Sequence, residues 1–148
     1  MPTYTIYAPR GQLSSEQKKT IAGAITRTHE TVTGARSFFA QVLFIEIPHE
    51  NWFMGGGALQ TEQLYVCGHI RGGRSPELKR DLILGLRDAL AIGASVSRSK
   101  VWAYLVEVPP SLMVEYGHVL PVPGQEEIWL AELPPEDRAL LEAMGRRA

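Results

Sequence analysis

The sequence predicts an α/β protein of the α+β kind, in which two tandem β-α-β units build one four-stranded, mostly parallel sheet. Both helices are expected on one face of that sheet. The prediction depends on an internal repeat and on a strand-helix-strand pattern in each copy. Residues 3–48 align without a gap over residues 64–109, at an offset of 61 positions. Eight positions are identical, namely Tyr4/Tyr65, Arg10/Arg71, Gly11/Gly72, Ser14/Ser75, Glu16/Glu77, Lys18/Lys79, Glu46/Glu107 and Pro48/Pro109.

The first unit is predicted to open with a strand directly after Pro2, because Thr3-Tyr4-Thr5-Ile6-Tyr7 consists of residues that favour strands. Ser14 then predicts a helix N-cap, with Gln17 completing a capping box. His29 lies on the apolar stripe of this helix, which is formed by Ile21, Ile25 and Val32.

The second unit repeats this order. Ser75-Pro76 places a cap and then a proline at the first helical position, and an apolar stripe follows at Leu78, Leu82, Leu86 and Leu90. The closing strands, 41–45 and 101–106, are apolar with little alternation, which indicates a sheet buried on both faces. Because two helices cover only one face, we expect a closed homo-oligomer to cover the other.

One domain over residues 1–148 accounts for the whole chain, with a tail at 110–148 beyond the repeat. The segment 49–60 contains Gly55-Gly56-Gly57 and predicts a loop or a short hairpin, without the pattern of a phosphate-binding loop. In the tail we expect a helical turn over 111–116, a turn over 121–124 and a last helix from Pro134 through Met144.

Composition excludes several classes of function. A net charge of -1 with no basic stripe argues against nucleic acid and anionic membranes as partners. The chain has no signal-peptide pattern and no long apolar stretch, so we expect a cytoplasmic protein. The single Cys67 is expected to be a buried apolar side chain. The four histidines show no metal-ligand spacing, so neither a metal nor a cofactor is predicted.

Pro2 is the first candidate for chemistry. Methionine before a small residue is normally removed, and the new terminus is then a secondary amine held at the rim of a sheet. An ordinary α-amino group has a pKa of roughly 7.7–8.0, and nearby charges or burial can shift it in either direction. Pro2 is therefore a candidate acid or base.

Two arginines form a second candidate. Arg71-Gly72-Gly73-Arg74 ends a strand and precedes a capped helix, an arrangement that favours binding of a carboxylate. The first unit has Leu13 where Arg74 would fall, so the repeat itself does not require the second arginine. The alternative is that both arginines are solvated loop charges. By themselves, His29 and Tyr104 fit buried structural roles, and Glu115 fits a solvated surface.

Together these residues give the chain a resemblance to the tautomerase superfamily, and within it to the cis-3-chloroacrylic acid dehalogenase group. The resemblance runs nearly end to end, through Pro2-Thr3-Tyr4, Ala24-Ile25-Thr26, His29, Ala40-Gln41-Val42, Arg71-Gly72-Gly73-Arg74-Ser75, Val101-Trp102-Ala103-Tyr104, Met113-Val114-Glu115-Tyr116-Gly117, Leu120-Pro121 and Pro123-Gly124. It implies the tautomerase fold, a homotrimer and a small carboxylate substrate.

The resemblance also implies a role for each candidate. Pro2 would be the catalytic proline, and Arg71 and Arg74 would bind the substrate carboxylate, with His29 as a further polar contact. Tyr104 and Glu115 would position and activate a water molecule. The implied reaction adds water to a 3-haloacrylate or an acetylenic acid, with Pro2 as general acid, and leads to malonate semialdehyde from the haloacrylate.

Two alternatives stay open at this point. A nearby Glu115 would raise the pKa of the Pro2 amine, whereas the arginines would lower it. If Pro2 is neutral it becomes a general base, which is the chemistry of an enol/keto tautomerase acting on a phenylpyruvate-like acid. The fold could also serve as a non-catalytic binding protein. Segment 49–63 does not match the dehalogenase group closely, so the substrate stays open.

Overall fold

The computed structural model describes residues 2–145. The sequence predicts removal of Met1, and this residue lies outside the described range. Within them the chain forms eight strands and four helices: β1 Thr3–Pro9, α1 Ser15–Thr33, β2 Gln41–Ile47, β3 Phe53–Met54, β4 Gly57–Ala58, β5 Leu64–Arg71, α2 Pro76–Ala94, β6 Val101–Val108, β7 Val114–Glu115, β8 His118–Val119, α3 Glu126–Glu132 and α4 Pro135–Gly145.

The main sheet has four strands in the order β2-β1-β5-β6. Each β-α-β unit contributes a parallel pair, β1 with β2 and β5 with β6, and the two units meet through the antiparallel pair β1 and β5. The predicted α/β architecture is confirmed, including the mostly parallel sheet. In the central pair Thr3 lies opposite His69, so the start of β1 adjoins the end of β5.

Local sequence explains where the two long helices begin. The Ser14 side chain accepts a hydrogen bond from the Gln17 amide, and the Gln17 side chain accepts one from the Ser14 amide. Ser75 caps α2 by accepting from the Leu78 amide, with Pro76 at the first helical position. Both helices pack on one face of the sheet, over a core that includes Tyr4, Ile6, Ile21, Ile25, Leu64, Val66, Leu82, Leu86 and Leu90.

The opposite face of the sheet, here called the open face, carries half-exposed apolar side chains. They are Leu43, Ile45, Trp102, Tyr104 and Val106, each between 43% and 51% exposed. The closing strands are therefore buried on one face only within a protomer.

Cys67 lies on β5 with intermediate exposure, so the expectation of a buried cysteine is wrong for the isolated protomer. The strand turns this side chain away from the helices, because the neighbouring positions, Val66 and Gly68, are buried on the face that packs against the helices.

The structural repeat continues beyond the region of sequence identity. Each closing strand is followed by a 3₁₀ turn and a two-stranded hairpin, and the hairpins β3-β4 and β7-β8 lie 61 positions apart. The helical turn expected over 111–116 is instead a 3₁₀ turn at Pro110–Leu112 followed by the second hairpin. Tyr116 and Gly117 have φ values of 53° and 82°, and two consecutive positive φ values suit a tight hairpin turn rather than a helix.

The tail folds back over one end of the sheet. Phe39 and Leu120 form a small apolar cluster with Met113 and Trp129, and the Trp129 indole donates a hydrogen bond to the Val119 carbonyl at 2.9 Å. A second cluster of Leu130, Leu133 and Leu141 joins α3 to α4. The predicted last helix is α4, whereas α3 was not predicted.

None of the helices in residues 2–145 has the length and apolar character needed to cross a membrane.

Candidate active site

The functional candidates gather at one end of the main sheet. The start of β1 and of β2 lies there, together with the end of β5 and of β6, because β1 runs antiparallel to β5. Pro2 stands at the start of β1 and is buried, and its carbonyl accepts a hydrogen bond from the Gln41 amide at 3.0 Å. The sheet therefore fixes the backbone of Pro2.

A cleft of about 900 Å³ opens at this end of the sheet. Pro2 and Glu115 both line it, and Thr26, Ser37 and Gln41 add further polar groups to its wall. Phe39, Met113 and Met144 contribute apolar surface, so the tail closes part of the cleft. The structure thus brings the candidate acid or base and the candidate water-activating carboxylate into one cavity.

The second hairpin places Glu115. Glu115 ends β7 and pairs with His118 across the tight turn at Tyr116 and Gly117. The hairpin is tied at its base, because the Leu120 amide donates to the Met113 carbonyl at 3.1 Å. The carboxylate is therefore carried on a short, hydrogen-bonded element rather than on a free tail.

The two arginines lie where β5 passes into α2. Arg71 is only 2% exposed, and its Nη1 donates to the Pro121 carbonyl at 2.7 Å while Nη2 donates to the Glu126 carboxylate. Arg74 is half-buried, and its Nη1 donates to the Thr33 carbonyl at the end of α1 at 3.3 Å. Neither arginine is a solvated loop charge in this fold.

His29 lies beneath the arginines, 2% exposed, and does not line the cleft. Its Nδ1 is 2.8 Å from the Tyr4 hydroxyl, and its Nε2 is 3.2 Å from the Thr33 hydroxyl. Thr33 donates its own hydroxyl proton to the His29 carbonyl at 2.7 Å. The Thr33 oxygen must then accept from Nε2–H, which leaves Nδ1 to accept from Tyr4.

Electrostatics around His29 favour the neutral ring. Burial, and then the positive charge of Arg74, lowers the pKa of His29 from 6.5 to about 3. Burial likewise raises the pKa of Tyr4 above its ordinary value, with Arg74 opposing the shift. At neutral pH this layer of the site is therefore an uncharged hydrogen-bonded pair, and the arginines carry its positive charge.

Tyr104 stands apart from the other five candidates. It points to the open face of the sheet, is 51% exposed and packs edge-on against Tyr65 with ring centroids 5.1 Å apart. It does not line the cleft of its own protomer. Of the six predicted residues, then, Pro2 and Glu115 share the cleft, while Arg71, Arg74 and His29 form an adjoining cluster.

Sequence reasoning missed two partners of that cluster, Thr33 and Glu126. Tyr4 stood out as a residue shared by both halves of the repeat and as part of the resemblance, but not as a partner of His29. Glu126 gave no signal, because it lies in the tail, 55 residues from the arginine with which it pairs. Only folding of the tail over the sheet end brings them together.

Comparison of the two repeat units shows that most of the candidate residues lack a residue of the same type in the other unit. Each candidate residue has an equivalent position 61 residues away in the sequence, at the opposite end of the sheet. Most of the residues at these equivalent positions are uncharged. Arg10 alone matches its counterpart Arg71, whereas Pro2, His29, Arg74, Tyr104 and Glu115 are replaced by Gln63, Leu90, Leu13, Leu43 and Met54. The fold does not require the polar set, since the other half forms the same elements without it.

Comparisons with known proteins agree with this fold. A family model described as "Putative oxalocrotonate tautomerase enzyme" matches residues 1–132. A solved structure of N1, a member of the cis-3-chloroacrylic acid dehalogenase family, is 28% identical and superposes with a TM-score of 0.91 over 95% of this chain and 99% of its own. No curated protein sequence matches the chain.

Two further structures share the fold more distantly. Native Ps01740 is 26% identical, with a TM-score of 0.72 over 76% of this chain and 99% of its own. Native fused 4-OT is 20% identical, with a TM-score of 0.74 over 79% of this chain and 94% of its own, and other fused 4-OT structures are trimers.

The described residues contain no group of three or more histidine, cysteine, aspartate or glutamate side chains placed to hold a metal ion. What the sheet end does contain is a buried proline at the start of β1 and a carboxylate on the second hairpin, within two tandem β-α-β units. With the family match over residues 1–132 and the end-to-end superposition on N1, the chain belongs to the tautomerase superfamily, in its cis-3-chloroacrylic acid dehalogenase-like group.

Proposed function

We propose that this protein is a cofactor-independent enzyme that adds water to short α,β-unsaturated carboxylic acids, such as acetylenic acids and 3-haloacrylates. Pro2 acts as the general acid once Met1 is removed, and Glu115 activates the water. The observation that carries the proposal is that Pro2, at the start of β1, and Glu115, on the second hairpin, line the same cleft. An acid and a base in one cavity suit addition of a proton and a hydroxide to neighbouring carbons.

The reaction balances without a further reactant. The ammonium of Pro2 gives a proton to C2 while Glu115 takes a proton from water, and the hydroxide forms a bond to C3. With a 3-haloacrylate the product is a halohydrin, which expels halide and a proton to leave an aldehyde at C3. Proton exchange with water then restores both Pro2 and Glu115.

Arg71 and Arg74 supply the positive end of the site, which holds the substrate carboxylate and draws electron density away from C3. His29 is a positioning residue in this scheme, because both its ring nitrogens are engaged by Tyr4 and Thr33. Its neutral ring keeps Tyr4 fixed below the arginines without adding a third positive charge.

Tyr104 reaches the site from a neighbouring protomer in this proposal. Its 51% exposure on the apolar open face supports that assignment, since a homotrimer would bury this face. Fused 4-OT structures are themselves trimers, which supports a trimeric assembly. The complete site would then be assembled only in the oligomer.

The decisive experiment compares water addition with enol ketonisation in Glu115→Gln. We expect hydration of an acetylenic acid to fall by about 10²–10⁴-fold, because the base is lost, while ketonisation of an enol is largely kept. Glu50→Gln, which removes an exposed carboxylate in the other half, is the matched control. Equal loss of both activities in E115Q would refute the division of roles.

An enol/keto tautomerase is the second candidate, and the burial of Pro2 favours it. Desolvation disfavours a cationic amine, and a neutral Pro2 would act as a general base instead. Titration of the Pro2 nitrogen by NMR separates the two functions. A pKa below about 7 supports the tautomerase, since the amine is then mostly uncharged at neutral pH. Pro2→Ala should suppress either reaction, and unchanged turnover would refute the catalytic role of Pro2. Absence of both reactions in the wild type would leave a binding function.

A further inference from the structure

The cleft that holds Pro2 and Glu115 is lined mainly by apolar side chains. The larger ones are Phe39, Val108, Leu112, Met113, Val114 and Met144. Among the described residues of this wall, Glu115 alone has an acidic or basic side chain, and both arginines lie outside it in the adjoining cluster. A ligand that fills the cleft must therefore be mostly apolar, with its carboxylate directed to the arginines.

The cleft is also much larger than a three-carbon acid. Its volume is about 900 Å³. Propynoate, the smallest acetylenic acid, occupies about 100 Å³, roughly the volume of three or four water molecules. A Tyr104 side chain entering from a neighbouring protomer would take up roughly 150 Å³ and would add a further aromatic surface. A three-carbon acid would thus leave most of the apolar wall in contact with water.

The tail of the chain holds this apolar wall in place. Met113, directly before β7, packs against the small cluster that contains Phe39, and Phe39 is only 4% exposed. Met144 joins the wall because α4 packs against the 3₁₀ turn that ends at Phe39. His118 Nε2 lies 2.9 Å from Asp137 Oδ2, which ties α4 to the second hairpin. Side chains from three elements therefore form one apolar surface beside the two candidate catalytic residues.

We propose that the substrate is an α,β-unsaturated carboxylic acid with an apolar substituent as large as a phenyl ring on C3, and that Phe39, Met113 and Met144 bind this substituent. The carboxylate lies at the arginine cluster, and C2 and C3 face Pro2 and Glu115. The inference rests on the proposed function, because it takes this cleft as the active site. It adds a substrate class and three specificity-determining residues.

For the acetylenic acid 3-phenylpropynoate, the proposed reaction consumes one water molecule. Pro2 gives a proton to C2, Glu115 takes a proton from water, and the hydroxide forms a bond to C3. The resulting enol transfers its hydroxyl proton to C2, which leaves 3-oxo-3-phenylpropanoate. Proton exchange with water restores Pro2 and Glu115, so no other reactant is required.

The first test measures binding of two inert saturated acids, propanoate and 3-phenylpropanoate, by NMR chemical-shift titration of the full-length protein at neutral pH. Wild-type protein should bind 3-phenylpropanoate about tenfold or more tightly than propanoate, because burial of the ring removes apolar surface from water. Equal or weaker binding of the phenyl acid would overturn the inference without the use of any variant.

Two variants locate the bound ring. Met144→Gln and Met113→Gln keep a side chain of similar length but make its end polar, so each should lower the affinity ratio of the two acids by about threefold or more. Met54→Gln is the matched control, since Met54 lies on β3 in the first hairpin and outside the cleft. A fall in the ratio in M144Q or M113Q, but not in M54Q, supports the inference. The wild-type ratio in both cleft variants would show that the ring binds elsewhere and would overturn it.

Turnover separates this inference from the proposed function. The KM for hydration should be about tenfold or more lower for 3-phenylpropynoate than for propynoate. Tight binding of 3-phenylpropanoate with no hydration of either acetylenic acid refutes the proposed function and leaves the apolar subsite standing. Hydration of propynoate, with no preference for the phenyl acids in binding or in KM, refutes the inference and leaves the proposed function standing.

Discussion

The neutral His29 makes stability depend on pH in a way that can be measured directly. Its pKa is lowered from 6.5 to about 3 by burial first and then by Arg74. Between these two values the unfolded chain binds a proton at this histidine and the folded protein does not. Stability from His29 is therefore fully present above pH 6.5 and is lost as the pH falls toward 3, at about 1.4 kcal/mol per pH unit.

The informative perturbation is His29→Leu, because the repeat itself places leucine at the equivalent position, Leu90. At pH 7.5 the variant leaves the buried Tyr4 hydroxyl without its partner, which costs about 1–3 kcal/mol. At pH 4.5 the wild type has lost roughly 3 kcal/mol through His29, two pH units below its unfolded pKa, and the variant has not. The variant should then equal or exceed the wild type in stability.

Urea denaturation at pH 7.5 and 4.5 measures both differences. Protein concentration is held constant, because the stability of an oligomer depends on it. His49→Gln, at an exposed histidine in the first 3₁₀ turn after β2, is the control for a general effect of losing a histidine. If wild type and His29→Leu lose stability in parallel between the two pH values, His29 is not held neutral by the fold and the reasoning fails.

Three further predictions concern assembly and packing. Trp102→Glu puts a charge on the open face, where Trp102 is 48% exposed, and should give a monomer by sedimentation where the wild type is an oligomer; a retained oligomer would locate the interface elsewhere. Gly93→Ala brings a Cβ within 2.4 Å of Ile21 Cγ1 between the two long helices, so urea denaturation should show a loss of about 1–3 kcal/mol, and an unchanged midpoint would contradict tight packing there. Ser95→Gly should stabilise the protein by up to about 1 kcal/mol, because Ser95 ends α2 in the left-handed conformation that its counterpart Gly34 adopts at the end of α1; a lower urea midpoint would refute this.

Local signals were sufficient for the two β-α-β units. The caps at Ser14 and Ser75 set the helix starts, and the apolar stripes behind them set the face that packs on the sheet. These features act over a few residues, so the sequence shows them directly. The second hairpin was harder, since the sequence of its turn contains Tyr116 at a positive φ, a position where glycine or asparagine is the usual signal.

The arrangement of the candidate site was less accessible to sequence reasoning. Six residues could be named from the resemblance, and the structure places Pro2 and Glu115 in one cleft. The pairing of Arg71 with Glu126 and the engagement of both His29 nitrogens could not be foreseen. A hydrogen-bonded partner 25 or 55 residues away leaves no periodic trace in the chain, so it appears only after the elements have packed.

By itself, then, the sequence determined the β-α-β repeat, the capped helices, the proline at the start of the first strand and the family resemblance, because each depends on residue type and short-range spacing. The tertiary structure decided what those residues contact. Antiparallel pairing of β1 with β5 brings the start of one unit to the end of the other, and folding of the tail places Glu126 on Arg71. These contacts join residues far apart in the chain, and they form because packing the two units and the tail together buries their apolar surfaces.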